Sequence, residues 1–590
     1  MTTATAPAPT ATAVPRAQPL HFGPDAAPLF GWHHRPAGEP RDACVVISSP
    51  FAVEAVFSHR ALRHLSEALA AEGFHVLRYD HHGTLDSSGA GDERDRVATW
   101  TSGVQCAIET ARALSGAARS AVVGLRLGAT LAAAAASPIG GVESLALWAP
   151  IVNGRRYARE LGAFSQMGGA PGSGGVGGFF VGPDTLEEIA KLNLLQLSRS
   201  PARRTLIIPR DDLPDDGTLA MHLASLGSDV QSNPAPGYSD AMVEPHNTKV
   251  PDRVVRAITE WLARSHPRSV PGSASFASAE KSASAPFRLV SPEVRERPVF
   301  LDARKRLFGI VSEPAHGRCR DTGIVMANAG AVSRVGPNRL YVTMAREWAA
   351  SGFRVLRLDI GGIGDSAAAP SVPENHTYSP NAVDDIVTGI GALRAIGNSK
   401  FVAAGLCSGA HATFHLGVER PDVGDIAGLI LINPIVFYWK PGDSLDVSAW
   451  RNYVEARRYQ SQARNPQAWR KVLSGKVNVL TAARTVVQRW ATVAGATIGR
   501  RLARRDAPGN LANDLLTLTA RPLELLMLFS DGDPGLDQLR LHAGHTLRAL
   551  GQRPNFRLER IPNADHTFTQ LDAQTGVRAL LLDHLTQRFT

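Results

Sequence analysis

Val402-Ala403-Ala404-Gly405-Leu406-Cys407-Ser408-Gly409-Ala410 sets the architecture of the chain. A short apolar strand, Phe401 to Ala404, runs into Gly-x-Cys-x-Gly and then into the helix-like run Ala410-His411-Ala412-Thr413-Phe414-His415-Leu416. Glycines two residues before and two after the cysteine let a following helix cross close to the strand, which lifts the apex side chain to the mouth of a sheet. Cysteine stands where serine is usual, and the helix N-terminus behind it favours negative charge on the sulfur. Ser408 is a competing nucleophile, but it sits one residue past the apex.

Around this turn lies a chain of 590 residues, 44% hydrophobic and 20% charged, which is ordinary for globular protein and ample for large cores. The four cysteines, Cys44, Cys106, Cys319 and Cys407, are too few and too scattered for a disulfide framework, and no pair has metal-ligand spacing. Reduced thiols, a cytoplasmic location, and no metal or cofactor are therefore expected. Residues 1–17 form an Ala/Thr/Pro tract without a basic start or an apolar core, which reads as a disordered tail. No run of about 18 apolar residues is present to span a membrane.

The chain repeats itself. Leu29-Phe30-Gly31 recurs at Leu307-Phe308-Gly309, an offset of 278, and Gly73-Phe74-His75-Val76-Leu77-Arg78-Tyr79-Asp80 recurs at Gly352-Phe353-Arg354-Val355-Leu356-Arg357-Leu358-Asp359, an offset of 279. Gly124-Leu125-Arg126-Leu127-Gly128 answers Gly405-Leu406-Cys407-Ser408-Gly409 at 281, and Trp148-Ala149-Pro150 answers Ile432-Asn433-Pro434 at 284. A slowly drifting offset indicates tandem copies of one domain, at 18–265 and 287–590, joined by the Ser/Ala/Pro-rich linker 266–286. In the second copy, strands are expected at 322–327, 354–359, 401–404, 429–432 and 523–529, with helices at 340–350 and 381–396. Strand alternating with helix predicts an α/β fold with a mostly parallel, doubly wound sheet in each copy.

Asp359-Ile360-Gly361-Gly362-Ile363-Gly364-Asp365-Ser366, the cysteine turn, and a late Asp then His resemble the α/β-hydrolase superfamily, as does Asp80-His81-His82-Gly83-Thr84-Leu85-Asp86-Ser87 in the first copy. Ser49-Pro50-Phe51 with the Arg126 turn is similar to hydrolase-like proteins of bacterial exopolysaccharide and exosortase systems. The superfamily order of nucleophile, acid and histidine implies a triad of Cys407, Asp533 (with Asp531 a nearby alternative) and His566. His566 would take the thiol proton, Asp533 would hold the imidazole tautomer, and the thiolate would attack an acyl carbonyl. The oxyanion donors implied are the Ser408 N–H and the loop Asn328-Ala329-Gly330. His411 and His415 follow at i, i+4 and read as helix-face residues rather than a metal pair.

The first copy departs from this pattern. Arg126 occupies the nucleophile position and cannot attack a carbonyl, although Asp212 and His246 answer Asp533 and His566. Arg126 pairs with Asp212 and fills a dead site, or it holds a substrate carboxylate or phosphate, or the site keeps an unconventional catalysis. Gly172-Ser173-Gly174-Gly175-Val176-Gly177 matches a dinucleotide-binding string but follows no strand, so a flexible loop is expected.

The offset grows to 320 at the histidines, which puts about 36 extra residues in the second copy where the superfamily inserts a lid, at about 440–515. Between Arg451 and Arg505 there are thirteen Lys/Arg and one acid, Glu455; this segment carries +12 of a net +9, leaving −3 for the rest. Its apolar residues recur at helical spacing, and Arg500, Arg501, Arg504 and Arg505 close it. Such charge suits a solvated face, an acidic partner (an acyl carrier protein or an anionic polysaccharide) or a membrane surface, the last making the protein membrane-peripheral; no nucleic-acid module is recognised. The expected function is an acyl hydrolase or acyltransferase acting on an ester or thioester. The competing class is a non-catalytic binding or scaffold protein of an envelope or polysaccharide pathway.

Overall fold

The computed structural model describes residues 17–168, 175–268, 286–370, 372–440, 443 and 509–589. The chain forms two compact units. One holds residues up to Arg320 together with Ala331–His376 and Phe568–Arg578; the other holds Asp321–Gly330, Thr377–Thr567 and Ala579–Thr590.

In the first unit, the strand order is Ala17–Phe22, Leu29–His34, His75–Tyr79, Ala43–Ser48, Arg119–Leu125, Val142–Trp148, Arg204–Ile208, Asp229–Ser232. Leu29–His34 pairs antiparallel with both its neighbours, and from His75–Tyr79 onward every pairing is parallel. The central strand Ala43–Ser48 is buried at every position, as a parallel strand covered on both faces must be. Helices Val53–Ala71 and Asp252–Ser265 cover one face through Leu62, Leu65, Ile258 and Leu262, while Arg96–Ser115 and Leu127–Ile139 cover the other through Val104, Ile108 and Leu131.

The same unit contains the antiparallel ladder Arg288–Ser291, Val294–Phe300, Phe308–Pro314, Arg354–Asp359, from the start of the second copy. Equivalent residues of the two copies exchange partners there. Arg78 pairs with Asp365 and Arg357 with Asp86, both members of each pair being separated from their counterparts by 279 positions. Arg334 lies among Asp86, Asp359 and Asp365, 2% exposed, so its charge is neutralised on several sides.

The second unit has five parallel strands in the order Thr322–Ala327, Lys400–Leu406, Ile426–Ile432, Glu524–Ser530, Phe556–Ile561. Helix Ser408–Glu419 packs on this sheet through small residues; a Cβ at Gly417 would stand 2.5 Å from Leu429.

Three expectations need comment. The linker begins as folded chain: His266 is fully buried with Nε2 2.9 Å from Ser144 Oγ, and the Pro267 carbonyl accepts from the Asp42 N–H. Residues 269–285 lie outside the described residues, as does 444–508, which is most of the lid expected at about 440–515 and includes Arg500, Arg501, Arg504 and Arg505; the last part of that range is described and enters the helix Leu511–Ala520. Of the glycine string, 169–174 is also outside, and Gly175–Val176 pairs antiparallel with Phe179–Phe180 in a short hairpin, so that part is not a loose loop. Among the described residues, no helix is long and apolar enough to cross a membrane.

Candidate active site

The strand Lys400–Leu406 ends in a sharp turn whose apex is Cys407, with φ 58° and ψ −114°. An L-residue rarely adopts this conformation, which costs on the order of 1–3 kcal/mol and persists only where its surroundings impose it. The surroundings are visible. Cys407 N–H donates to the Ile432 carbonyl at 2.9 Å, and its own carbonyl accepts from His411 N–H at 3.1 Å. A Cβ at Gly405 would lie 2.2 Å from the Gly409 backbone, and one at Gly409 would lie 2.4 Å from the Asn328 carbonyl, so the two flanking glycines are required by contact.

The acid and base sit at the ends of the next strands. Asp533 follows strand Glu524–Ser530 and caps helix Pro534–Leu550, its Oδ1 accepting from Gly535 N–H at 2.8 Å. Its Oδ2 faces His566 Nδ1 at 2.6 Å, with the carboxylate side chain fully buried. Asp531, the alternative acid, lies instead 3.7 Å from Arg560. Burial by itself would lower the His566 imidazole, but the Cys407 sulfur and the Asp533 carboxylate outweigh it and push the imidazole up to about 10. The imidazole is thus within interacting range of both expected partners.

Ser408 is 6% exposed, and its Oγ accepts from Gly330 N–H at 2.9 Å. This hydroxyl is a strut for the loop and does not occupy the apex. The same bond corrects the expectation for Gly330, whose N–H is already used. Ala329 N–H makes no hydrogen bond among the described residues, and Ser408 N–H, in the first turn of its helix, has no intrahelical acceptor.

Two contributors escaped the sequence reading. Asn433 donates from Nδ2 to the His566 carbonyl at 2.8 Å and to Ser530 Oγ at 2.9 Å, and accepts from Ser530 N–H at 2.7 Å. It therefore ties the histidine loop to the acid strand. The repeat carried the signal, since Ala149 takes this place in the first copy, where no triad is assembled. The second is Tyr378, 6% exposed, whose hydroxyl is buried without a geometric hydrogen-bond partner among the described residues and lies within electrostatic range of the Cys407 sulfur. Burial and then the sulfur push this phenol far above its ordinary value. Its ring stacks on Trp439 at 4.2 Å and meets the edge of His411 at 5.1 Å. The loop bearing Tyr378 has no periodicity by which to find it. His415 is held by Glu419 and the Phe437 carbonyl, and no metal-holding cluster occurs among the described residues.

The first copy has the same backbone and different chemistry. Arg126 has φ 53° and ψ −123°, and its N–H donates to the Trp148 carbonyl at 3.0 Å. Its guanidinium does not meet Asp212. Nε donates to Glu54 at 2.7 Å and Nη2 approaches Glu160 at 3.5 Å, while Tyr157 donates to the other Glu54 oxygen at 2.9 Å. Burial opposes the Arg126 charge, and Glu54 more than restores it. Asp212 is taken by Arg210 through two bonds of 2.8 and 2.6 Å, and His246 lies 3.7 Å from Glu244. The expected degenerate triad is therefore dispersed.

Residues 324–580 match the model of the alpha/beta hydrolase family, and residues 43–169 match that of the serine aminopeptidases, S33. The chain belongs to the α/β-hydrolase superfamily. It is a hydrolase built of two such domains in tandem, and the turn of the first carries Arg126 where the second carries Cys407. Neither family model speaks to the exosortase likeness. An esterase of Pyrococcus furiosus is similar over 42% of this hydrolase and 91% of its own chain, at 14% identity and a TM-score of 0.31. Brefeldin A esterase, a bacterial homologue of human hormone sensitive lipase, is similar over 45% and 80%, at 16% and 0.31. Dienelactone hydrolase from Anabaena variabilis is similar over 50% and 100%, at 14% and 0.29. The family models carry the assignment, not these scores. No curated protein matches the hydrolase.

Proposed function

We propose that the second domain hydrolyses an ester or thioester, or transfers its acyl group, through Cys407, His566 and Asp533. The observation that carries this reading is the 2.6 Å contact between His566 Nδ1 and Asp533, on an imidazole whose charge the Cys407 sulfur also stabilises.

Asp533 accepts from Nδ1–H and leaves Nε2 to take the thiol proton. The sulfur adds to the acyl carbonyl while the Ser408 and Ala329 N–H groups receive the oxyanion. Collapse of the tetrahedral adduct breaks the bond to the leaving group, which departs with the proton from His566. A thioester to Cys407 remains. Water, deprotonated by His566, cleaves it in hydrolysis; an amine, alcohol or thiol does so in transfer. Tyr378 donates to the thiolate before attack. The first domain takes no part in the chemistry because its apex is an ion-paired arginine.

The test is trapping of the intermediate. The parent, acid-quenched early during turnover of p-nitrophenyl acetate, should carry a single acetyl adduct on Cys407 by mass spectrometry, while Cys407→Ala should carry none. An adduct on Ser408, or turnover undiminished in Cys407→Ala, would refute the reading.

A further inference from the structure

A cavity of about 840 Å³ opens within the first unit, on residues of the first domain together with residues 290–294, Asn338, Arg339, the helix Leu340–Ala350 and residues 571–578. It contains none of Cys407, Asp533 and His566. Its size is that of a small-molecule site.

Six arginines are buried in the described residues: Arg78, Arg96, Arg126, Arg334, Arg339 and Arg357. Four of them are ion-paired, with Asp365, Glu54, Asp86 and their neighbours. The two without an ion pair among the described residues, Arg96 and Arg339, are 3% and 9% exposed, and both line this cavity. Arg339 donates to the carbonyls of Leu85, Gly89 and Ser87, which satisfies hydrogen bonds but brings no negative charge. Arg96 donates to the Gly91 carbonyl, rests 4.7 Å over the Trp100 ring and 5.2 Å over Phe51, and leaves its Nε buried without a partner. Burial accordingly lowers Arg96 to about 10 and Arg339 to about 9.

The nearby carboxylates form no ion pair with either guanidinium among the described residues; Glu93, Glu188 and Asp92 offset burial of Arg96 only in part, and Glu296 and Asp86 do the same for Arg339, against the like charge of Arg346. Glu93 is held by His82 and the Ala90 N–H, and Glu347 by Arg578. Asp92 and Glu293 are exposed. A buried guanidinium without a paired counter-charge is expensive, and its planar fork matches a carboxylate or phosphate. The neighbouring wall is apolar, with Phe51, Phe179 and Val342, and Phe180 is 38% exposed.

We propose that this cavity binds an organic oxyanion with an apolar body, with Arg96 and Arg339 facing the anionic group and Phe179 and Phe180 facing the body. The site stands independently of the Cys407 chemistry.

The test is calorimetry and thermal unfolding of the full chain with three probes: phenyl phosphate, phenylacetate and uncharged benzyl alcohol. One of the two anions should bind and raise the unfolding midpoint by about 3 °C at saturating concentration, and benzyl alcohol should not. Which anion binds separates phosphate from carboxylate. Arg96→Gln should weaken binding at least about tenfold. Thr343→Trp, which fills the cavity and keeps both arginines, should do the same and decides the matter if Arg96→Gln fails to fold. Silence of the parent with both anions overturns the proposal, and so does binding undiminished in the folded variants.

Discussion

The turns at Arg126 and Cys407 have nearly the same strained backbone, φ 53°, ψ −123° and φ 58°, ψ −114°, yet one ends in an ion pair and the other in a thiol beside an imidazole. Strain at a strand-to-helix turn is thus a property of the fold, imposed by flanking glycines and a carbonyl on the next strand. It survives where nucleophilic chemistry does not. What separates the two sites is the company of the apex: Glu54 and Tyr157 converge on Arg126, whereas the Cys407 sulfur acts on His566 and Tyr378, and Asn433 holds the histidine loop.

The comparison breaks most sharply through activity. On p-nitrophenyl esters, Cys407→Ala and Asp533→Asn should each lower turnover about 10⁴-fold. Arg126→Cys, in the Cys407→Ala background, should restore nothing, because Asp212 and His246 are engaged elsewhere. Recovered turnover in that double variant would mean that the first site is merely blocked, not dispersed.

Stability sharpens it next. Arg126→Ala leaves Glu54 in a largely buried position without its counter-charge and should cost about 3 kcal/mol in urea unfolding. Cys407→Gly relieves the apex strain and removes no ion pair with a carboxylate, so it should gain about 1 kcal/mol. A loss of stability in Cys407→Gly would show that the apex strain is not what sets the stability of that turn.

The third handle is pH. His566 is held at about 10, above its ordinary 6.5, so the stability gained from its charged form is complete below pH 6.5 and is lost as pH rises through about 10. The difference in urea midpoint between the parent and His566→Gln should therefore shrink across that interval. A constant difference would remove the charge from the account. The smallest effect is expected from Tyr378→Phe, which deletes the hydroxyl proposed to donate to the thiolate and should slow alkylation of Cys407 at pH 7 about tenfold.

Backbone was easier to read than partnership. Thr322–Ala327, Arg354–Asp359 and Leu340–Ala350 fall where apolar runs and helical spacing put them, because buried parallel strands and amphipathic helices write their periods locally. The order Cys407, Asp533, His566 was likewise legible, since each follows a strand of the repeated plan. The pairing of Arg126 was not. Asp212 was its counterpart in the triad order, but Glu54, at the start of a helix far away in sequence, reaches it in space, and Arg210 takes Asp212. Gly330 shows the same limit: the repeat marks the loop, and only the fold shows its N–H turned to Ser408.

The central claim is that His566 and Asp533 make one sulfur different from the others. Site-resolved mass spectrometry of the native chain during timed iodoacetamide alkylation at pH 7 tests it most directly, with Cys44, Cys106 and Cys319 as internal references. Cys407 should be labelled at least about tenfold faster than the two partly exposed references, Cys106 and Cys319, and His566→Gln should erase the advantage. Labelling of Cys407 at the rate of Cys319, or an advantage untouched by His566→Gln, would contradict the account.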